Sequence, residues 1–440
     1  MADLTSIDKI LKEYYLGPVQ EQLNNEVLLL SRLEARSEDL VGKAAFVPLH
    51  AGRSAGIGAI AESGTLPTAG SQSYNRAEYD LKYLYGRVQV TGPSMAKSKS
   101  DAGSFLQILK GELDGVRNDL QKDLARQVYG AGDGVIGKGA LSGTGTLITL
   151  SDWEPLKKGQ FYVGQTLSGA VESSGVQAAG TLYVTAVAIV GAASSTLTVT
   201  KTGTMADATY ALSRAGSVSA GQALNRFNNG ARSNEIDGLA RVVNATASTS
   251  ASAAAPATGG TFTSTVRSGS LGKIDAFTET YWDNQRTGTI DATTALSLTR
   301  IQEAINLSRT KGGMPSAIIT SLGVQREFFG LLQANQQFVT AAGTDYVAGF
   351  STLMYNGMPV VADIDAPWGE MYILDESTIK VFSDQNWHFL DADGQTLRQV
   401  ANMDAYEAIM VRYMNIGATN RAKNVIINGI GVNSAADTGV

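Results

Sequence analysis

Residues 52–91 read GRSAGIGAIAESGTLPTAGSQSYNRAEYDLKYLYGRVQVT, a polar, glycine-rich stretch that ends in a strand-like run at 81–91. Connections longer than about 12–15 residues without secondary structure are usually functional or disordered. The alternation at 81–91 favours a patterned, functional segment. A ribbon that cannot bury both faces within its own subunit is expected to lie on another subunit, which indicates a protein built for assembly.

The composition excludes several classes of protein. The 440 residues include no cysteine and two histidines, His50 and His388, so a disulfide framework is excluded and a metal site would need mostly carboxylates. The N-terminus lacks a signal-peptide pattern and no stretch approaches the ~18–20 apolar residues of a membrane span, so we expect a cytosolic chain. The formal charge of −6 predicts only local, weak contact with DNA.

Two helical regions precede the middle of the chain. Residues 4–36 have the spacing of two amphipathic helices, and residues 1–50 carry eight acidic and five basic side chains, which makes an acidic arm. A long helix is predicted from about 101 to 129, capped by Ser100 or Asp101 and ended by Gly130. Its solvated face has opposite charges three residues apart: Asp114 with Arg117, Asp119 with Lys122, and Asp123 with Arg126.

The second half changes character twice. Short alternating runs between 140 and 215 are typical of a small all-β unit inserted between helical parts. Low-complexity sequence at 244–270 predicts a flexible loop, and residues 271–400 have an α/β pattern. In this part and the tail, helices are expected near 298–309 and 324–333, and strands near 317–320, 359–362, 371–374, 378–382, 406–416 and 424–430.

Three motifs resemble chemical sites but lack the context that the chemistry needs. Residues 132–137 match G-x-G-x-x-G, yet a helix precedes them and β-like sequence follows, the reverse of a phosphate-binding turn. Residues 391–394 begin like a calcium loop, but the later ligands are misplaced, so a turn is expected. Asp363 and Asp365 could form a carboxylate pair, and we expect a surface turn instead.

The histidines and tyrosines have simpler interpretations than catalysis or base stacking. No nucleophile elbow accompanies His50 or His388, which predicts structural roles for both. Four tyrosines could stack on nucleic-acid bases, but without interleaved basic residues they fit an extended protein–protein contact better. They are Tyr74, Tyr79, Tyr83 and Tyr85.

The order of parts resembles the major capsid proteins of tailed bacteriophages, which have the Hong Kong 97-type fold. The resemblance is carried by residues 56–59, Glu62, 66–67, Lys82, 85–91, 234–239, 358–361 and 372–375. It implies an α+β chain with an N-terminal arm, an E-loop, a long spine helix, peripheral and axial domains, and the inserted all-β domain. The implied boundaries are 1–51 for the arm, 52–91 for the E-loop, 92–139 for the spine helix and peripheral domain, 140–215 for the β-domain, 216–270 for the return to the peripheral domain and a flexible loop, 271–400 for the axial domain, and 401–440 for the closing strands and tail.

The resemblance also implies a function. The chain would be a coat protein without enzymatic activity or cofactor that assembles as pentamers and hexamers into an icosahedral head shell around double-stranded DNA. It would be made in a host bacterial cytoplasm and reside in the virion, with separate scaffolding, portal and decoration proteins as possible partners. Some relatives carry a cleaved N-terminal scaffolding region; this chain is expected to begin directly at its arm, with scaffolding separate or absent. The lysine–asparagine pair and carboxylate of an intersubunit cross-link are not assigned.

Candidate intersubunit contacts are the charged and aromatic residues of the loop and of the strand after it. They are Arg53, Glu62, Tyr74, Arg76, Tyr79, Lys82, Tyr83, Tyr85 and Arg87. An encapsulin-like compartment shares the fold and is the first alternative function. A hydrolase is the second, disfavoured by the scarcity of histidine and the lack of a convergent motif.

Overall fold

The computed structural model describes residues 28–36, 40–42, 44–93, 102–132, 134–141, 146–150, 154–171, 181–189, 195–202, 209–214, 234–243, 270–275, 279–282, 285–287, 294–334, 353–391 and 397–431. The helices among them are α1 (Leu28–Arg32), α2 (Ala102–Tyr129), α3 (Glu154–Lys157), α4 (Leu239–Val242), α5 (Leu298–Thr310) and α6 (Leu322–Ala334).

The strands among these residues form three larger groups, one three-stranded sheet (Leu40–Val41, Ala44–Gly52 and Ser73–Asp80) and one two-stranded sheet (Ser270–Leu271 and Ile274–Asp275). They are β1 (Glu34–Arg36), β2 (Leu40–Val41), β3 (Ala44–Gly52), β4 (Ser73–Asp80), β5 (Lys82–Thr91), β6 (Val135–Leu141), β7 (Leu147–Leu150), β8 (Thr166–Val171), β9 (Thr181–Ile189), β10 (Ser195–Thr202), β11 (Thr209–Arg214), β12 (Ser270–Leu271), β13 (Ile274–Asp275), β14 (Gln285–Thr287), β15 (Ala317–Thr320), β16 (Leu353–Tyr355), β17 (Met358–Ala362), β18 (Met371–Leu374), β19 (Ile379–Phe389), β20 (Arg398–Gln399), β21 (Ala405–Ala418) and β22 (Val425–Ile427).

The first sheet lies against the long helix. Its described strands have the order β1-β19-β21-β20, and β5 also pairs with β21. The helix α2 packs its apolar stripe, which includes Leu113, Leu124 and Val128, into the same core as the buried residues of β5 and β21. The predicted long helix is confirmed, and the Gly130 amide donates to the Gln127 carbonyl at 3.0 Å where it ends.

Two of the three charge pairs predicted along α2 are present. Arg117 contacts Asp114 at 3.2 Å, and Arg126 contacts Asp123 at 3.0 Å. Arg126 also reaches Glu235 at 2.6 Å, which ties the end of the helix to the segment before α4. Asp119 and Lys122 line a polar junction described below.

The strand β5 corrects one expectation. We expected the whole ribbon of residues 52–91, including the run at 81–91, to lie on another subunit, but β5 pairs with β21 from Lys82 opposite Met414 to Thr91 opposite Ala405. Its alternation is that of a strand with one buried face, since Leu84 and Val88 belong to the core under α2. The ribbon that extends from the subunit is therefore the preceding hairpin, β3–β4, and not β5.

The second sheet corrects two further boundaries. It has the order β14-β22-β18-β15-β17-β16 among the described strands, with α5 and α6 packed against it. The helices and strands predicted within 298–374 are confirmed. However, β19, which we placed in the axial part, pairs with β21 in the first sheet, and β22, which we placed in the closing peripheral strands, pairs with β14 and β18.

Residues 135–214 contain a separate β unit. The described strands β6 to β11 close into a barrel in the order β10-β7-β6-β11-β8-β9, with its own apolar core. The all-β character is confirmed, with a start at Val135 instead of 140; that the barrel is an insertion stays a prediction. The G-x-G-x-x-G motif connects α2 to β6, so its context is helix to strand, as expected from the sequence.

The predictions for the N-terminus are tested only in part. The second predicted helix ends at Arg32 instead of 36, because Glu34–Arg36 form β1, which runs parallel to β19. Arg32 holds this end through Glu376, with Nε and Oε1 2.6 Å apart. The expectations for residues 1–27, the helix cap at 100–101, the loop at 244–269 and residues 392–394 lie outside the described residues.

The barrel meets the rest of the chain through polar groups. Lys158 Nζ donates to the Ala366 carbonyl at 3.1 Å, and the Trp368 amide donates to Glu154 Oε2 at 3.1 Å. The pocket at this junction is lined by α2, the barrel and the 363–366 turn. Lys158 also pairs with Glu154, so the barrel side of the junction carries both charges.

The Asp363–Asp365 segment is a turn, as expected, but it is not free surface. The Asp365 amide donates to Asp363 Oδ1 at 3.0 Å, and Tyr129 OH donates to Asp363 Oδ2 at 2.6 Å. Burial beneath the barrel, and then the charge of Asp363, raises the pKa of Asp365 to about 6, against a smaller lowering effect of Lys158. The turn therefore carries a carboxyl group that titrates near neutral pH.

A close backbone approach at Gly238 generates the first prediction. A Cβ on Gly238 would lie 2.3 Å from the Gln127 carbonyl and 2.6 Å from the Val128 carbonyl, at the end of α2. Gly238→Ala should lower the free energy of unfolding by about 1–3 kcal/mol, because backbone atoms cannot move aside as a side chain can. Urea unfolding followed by circular dichroism measures this.

Gly115→Ala is the matched control. Gly115 is an exposed position in α2 where an added Cβ meets no atom within 4 Å, so this change should raise stability by about 0.5–1 kcal/mol. Equal effects of the two substitutions would contradict the packing assigned to Gly238.

The junction generates the second prediction. The raised pKa of Asp365 means that the folded state favours its protonated form, so stability falls as the pH rises from about 4 to about 6 and is level above that. The groups that face the junction are Asp363 on the same turn, Glu154 and Lys158 on the barrel, and Asp119, Lys122, Asp123 and Arg126 on α2.

Asp365→Asn should remove up to about 3 kcal/mol of this pH dependence. Unfolding of wild type and variant at pH 4.5 and pH 7 gives the difference. Asp384→Asn, at an exposed carboxylate of β19, controls for the loss of one charge. An unchanged pH dependence in Asp365→Asn would contradict the assignment.

Candidate functional site

The most exposed part of the chain among the described residues is the tip of the β3–β4 hairpin. The two strands pair from Ala44 opposite Asp80 to Gly52 opposite Ser73, and residues 53–72 connect them. Burial falls steadily from base to tip, because Ala45 and Ala77 are enclosed whereas Tyr74 is 72% exposed. The hairpin is therefore fixed at one end and free of its own subunit at the other.

The base of the hairpin is bonded to two segments far along the chain, Ala418 at the end of β21 and residues 272–273 between β12 and β13. Tyr79 OH donates to the Ala418 carbonyl at 2.7 Å and accepts from the Ala418 amide at 3.1 Å, while its ring stacks on Phe382. Burial raises the pKa of Tyr79 well above its ordinary value, so the hydroxyl keeps its proton. The Glu78 amide donates to the Gly272 carbonyl at 2.9 Å, and Lys273 pairs with Glu78.

The connecting loop has a narrow neck and an apolar tip. At the neck, a Cβ on Gly70 would lie 2.8 Å from the Ala55 amide nitrogen, so the two chains pass at backbone contact. Beyond it, Ile57 is 79% and Leu66 77% exposed, and Ile60 is also exposed. Large apolar side chains held away from their own subunit in this way are a feature of surfaces that contact another molecule.

Seven of the nine predicted contact residues are exposed. They are Arg53, Glu62, Tyr74, Arg76, Tyr83, Tyr85 and Arg87. Arg76 lies over the Phe46 ring at 4.5 Å, and Arg87 pairs with Glu407 at 2.5 Å. Their role in contacts between subunits stays a prediction.

Tyr83 and Tyr85 belong to a different surface from the hairpin tip. Both rings meet Tyr413 edge to face, with centroids 5.2 and 6.3 Å away, on the face of the first sheet opposite α2. The nine candidates therefore do not form one site, because the hairpin extends away from the subunit whereas β5 lies within the first sheet.

The prediction for Tyr79 is wrong. Its side chain is 1% exposed and lies inside its own subunit. Tyr79 is on the inward face of β4, whereas its neighbours Glu78 and Asp80 are on the opposite face. Lys82 is half-buried, and burial lowers its pKa.

The apolar tip was missed by sequence reasoning. Ile57, Ile60 and Leu66 have neither helical nor strand periodicity, and charged and aromatic residues were chosen instead. The available signal was isolated large apolar residues within glycine-rich sequence that offers no core to hold them.

The two histidines do not form a shared site. His50 Nε2 lies 2.7 Å from Gln72 Oε1 on the hairpin, whereas His388 Nδ1 lies 3.0 Å from the Asn386 carbonyl in the first sheet. Among the described residues, no group of three or more histidine, cysteine, aspartate or glutamate side chains could hold a metal ion. In the same part of the chain, no helix is long and apolar enough to cross a membrane.

No protein-family model and no curated protein matches the chain. Among solved structures, it is similar to a chain of the cyanophage A-1(L) capsid asymmetric unit, with 16% identity and a TM-score of 0.53 over 92% of this chain and 93% of that one. It is less similar to the capsid of a native GTA particle, with 8% identity and a TM-score of 0.45 over 92% and 90% of the two chains. For the virus-like particle from Pyrococcus furiosus the values are 9% and 0.37, over 95% and 99%.

The likeness to the cyanophage capsid chain, with a TM-score above 0.5, assigns the fold. The predicted fold class, an α+β chain of the Hong Kong 97-type, is confirmed by that likeness.

Proposed function

We propose that this chain is a major capsid protein, which assembles into an icosahedral head shell around double-stranded DNA of a tailed phage. The observation that carries the proposal is the β3–β4 hairpin, whose base is fixed in the subunit while its apolar tip is exposed. The fold, similar to that of the cyanophage capsid chain, supports the same conclusion.

The mechanism is geometric. A tip that exposes Ile57 and Leu66 gains about 1.5–3 kcal/mol per side chain when another copy buries it. We infer that the tip binds a different patch on the next copy, so that the contact is head-to-tail and closes into rings, here pentamers and hexamers. Many such contacts add in a closed shell, since each subunit then holds several partners at once.

The remaining parts take family roles under this proposal. The first sheet with α2 forms the peripheral domain and its spine, the second sheet forms the axial domain, and the barrel is an added domain. The chain resides in the virion, after synthesis in the host cytoplasm, with scaffolding, portal and decoration proteins as possible partners. Its net charge of −6 fits weak contact with the enclosed DNA.

The role is structural, without turnover. The encapsulin-like alternative is not favoured, because a phage capsid chain is similar to this chain with a TM-score of 0.53. Electron micrographs of the purified protein and a nucleic-acid assay of any particles test the shell and its contents directly.

The third prediction uses the neck of the loop. Because the chains touch between Ala55 and Gly70, residues 57–69 can be replaced by two glycines without moving β3 or β4. The variant should unfold at the same temperature as the wild-type subunit, since the hairpin base is untouched, and should form no closed shells. Ile57→Ser with Leu66→Ser should weaken assembly in the same direction.

Val163→Ser is the matched control, because Val163 is an exposed apolar residue of the barrel. It should leave assembly at the wild-type level. Normal shells from the 57–69 replacement, seen by electron microscopy and size-exclusion chromatography, would sink the proposed role of the tip.

A further inference from the structure

The barrel and the rest of the subunit have separate apolar cores. Among the residues that the structure describes, the buried core of the barrel shares no member with the core under α2 or with that of the second sheet. The two parts meet through hydrogen bonds, from Lys158 and Glu154 on the barrel side to the backbone of Ala366 and Trp368 on the other. Domains joined mainly by polar contacts can move relative to each other, because little apolar burial opposes their separation.

The junction is also not close-packed. It contains a cleft with a volume of about 110 Å³, which has room for several water molecules. Charged residues of α2 line one side of the cleft and the barrel lines the other, and Asp365 of the 363–368 segment contributes to the wall. Separation of the two parts therefore exposes side chains that already face polar space.

The first connection between α2 and the barrel is the glycine-rich motif at 132–137. A Cβ on Gly132 would lie 3.1 Å from the Ile236 carbonyl oxygen, so the chain packs closely against the segment before α4 at this residue. Gly134 follows with a φ of +75°, one residue before β6 begins. Because glycine adopts both signs of φ readily, rotation at Gly134 can turn the barrel without moving α2.

Asp365 is the group at this junction whose charge changes near neutral pH. Burial, and then the charge of Asp363, raises its pKa to about 6, with a smaller opposing effect of Lys158 and a further raising effect of Glu154. An ionised Asp365 therefore gains more than a protonated one from contact with open water. The charged and titratable groups that face it are Asp363 on its own turn, Glu154, Lys158 and Tyr162 on the barrel, and Asp119, Lys122, Asp123 and Arg126 on α2.

We propose that the barrel is a movable domain, docked on the 363–368 segment by a latch that opens as Asp365 loses its proton, with Gly134 as the pivot of its first connection to α2. The latch consists of the hydrogen bonds from Lys158 to Ala366 and from Trp368 to Glu154. The device belongs to the class of pH switches in which one charge change biases an element with two positions. The inference does not depend on the proposed capsid function.

The direction of the pH effect follows from the two positions of the barrel. In the undocked position Asp365 is exposed to water and ionises near pH 4, whereas in the docked position its pKa is about 6. Docking is therefore tightest below about pH 4, weakens as the pH rises to about 6, and is level above that. Between pH 4.5 and pH 7 the equilibrium constant for docking should fall roughly 20-fold.

Hydrogen exchange followed by mass spectrometry on the dilute, unassembled full-length chain tests the latch. The readout is a peptide that contains the Trp368 amide, whose acceptor Glu154 lies across the junction. After correction for the pH dependence of intrinsic exchange, its protection should be roughly 20-fold lower at pH 7 than at pH 4.5. In Asp365→Asn, whose side chain stays neutral, the two values should agree within about twofold.

Two comparisons separate undocking from unfolding and from the loss of one charge. Amides of β10 in the barrel and of β21 in the first sheet should be at least about 100-fold better protected at pH 7 than the Trp368 peptide, because the barrel moves as an intact unit. Asp384→Asn, at an exposed carboxylate of β19, should keep the wild-type pH dependence. Equal protection of all three regions, or a wild-type pH dependence in Asp365→Asn, would overturn the proposal.

Lys158→Met tests the latch without changing Asp365. It removes the hydrogen bond to the Ala366 carbonyl, so exchange of the Trp368 peptide should rise roughly 10-fold at both pH values. Lys201→Met is the matched control, because Lys201 is an exposed lysine of β10 that does not line the cleft. Lys158→Met and Lys201→Met with the same exchange as wild type would show that the contact does not hold the barrel, which would also overturn the proposal.

Discussion

The pairing of β5 with β21 is the constraint on which the other parts of this structure depend. It joins residues 82–91 to residues 405–414 through a continuous antiparallel register. The core under α2 forms on one face of this pair, and the base of the hairpin is bonded to the end of β21 at Ala418. Without β21, β5 would lose its partner strand, and the hairpin would lose its hydrogen bonds to Ala418.

The local sequence pattern predicted the helices and strands of the chain better than it predicted which strands pair with one another. The helices α2 and α5 and the strand β15 could be read from the sequence, because each has a clear apolar period and identifiable ends. Nothing in residues 379–389 or 425–427 indicates which sheet they join, since strand pairing depends on residues far along the chain. The same limit applies to Tyr79, whose partner is Ala418, more than 300 residues away.

The candidate surface was predictable in position but not in chemistry. A long glycine-rich loop pointed to the hairpin, and the structure places its tip away from the subunit. The selection of charged and aromatic residues favoured Tyr79 and Lys82, which the strand buries fully or in part, over Ile57 and Leu66 at the tip. Sequence alternation indicates which residues share a face, but it does not say which face another element covers.

The sequence distance between β5 and β21 has a consequence for the order of events during synthesis. A ribosome must complete residues 405–418 before the first sheet can close, because contacts of long sequence separation form only when both segments exist. Until then, the hairpin lacks the Tyr79–Ala418 anchor that holds its base. A nascent chain therefore cannot hold the hairpin in its native orientation before β21 has been synthesised. The topology thus makes the orientation of the hairpin a folding step that follows the synthesis of β21.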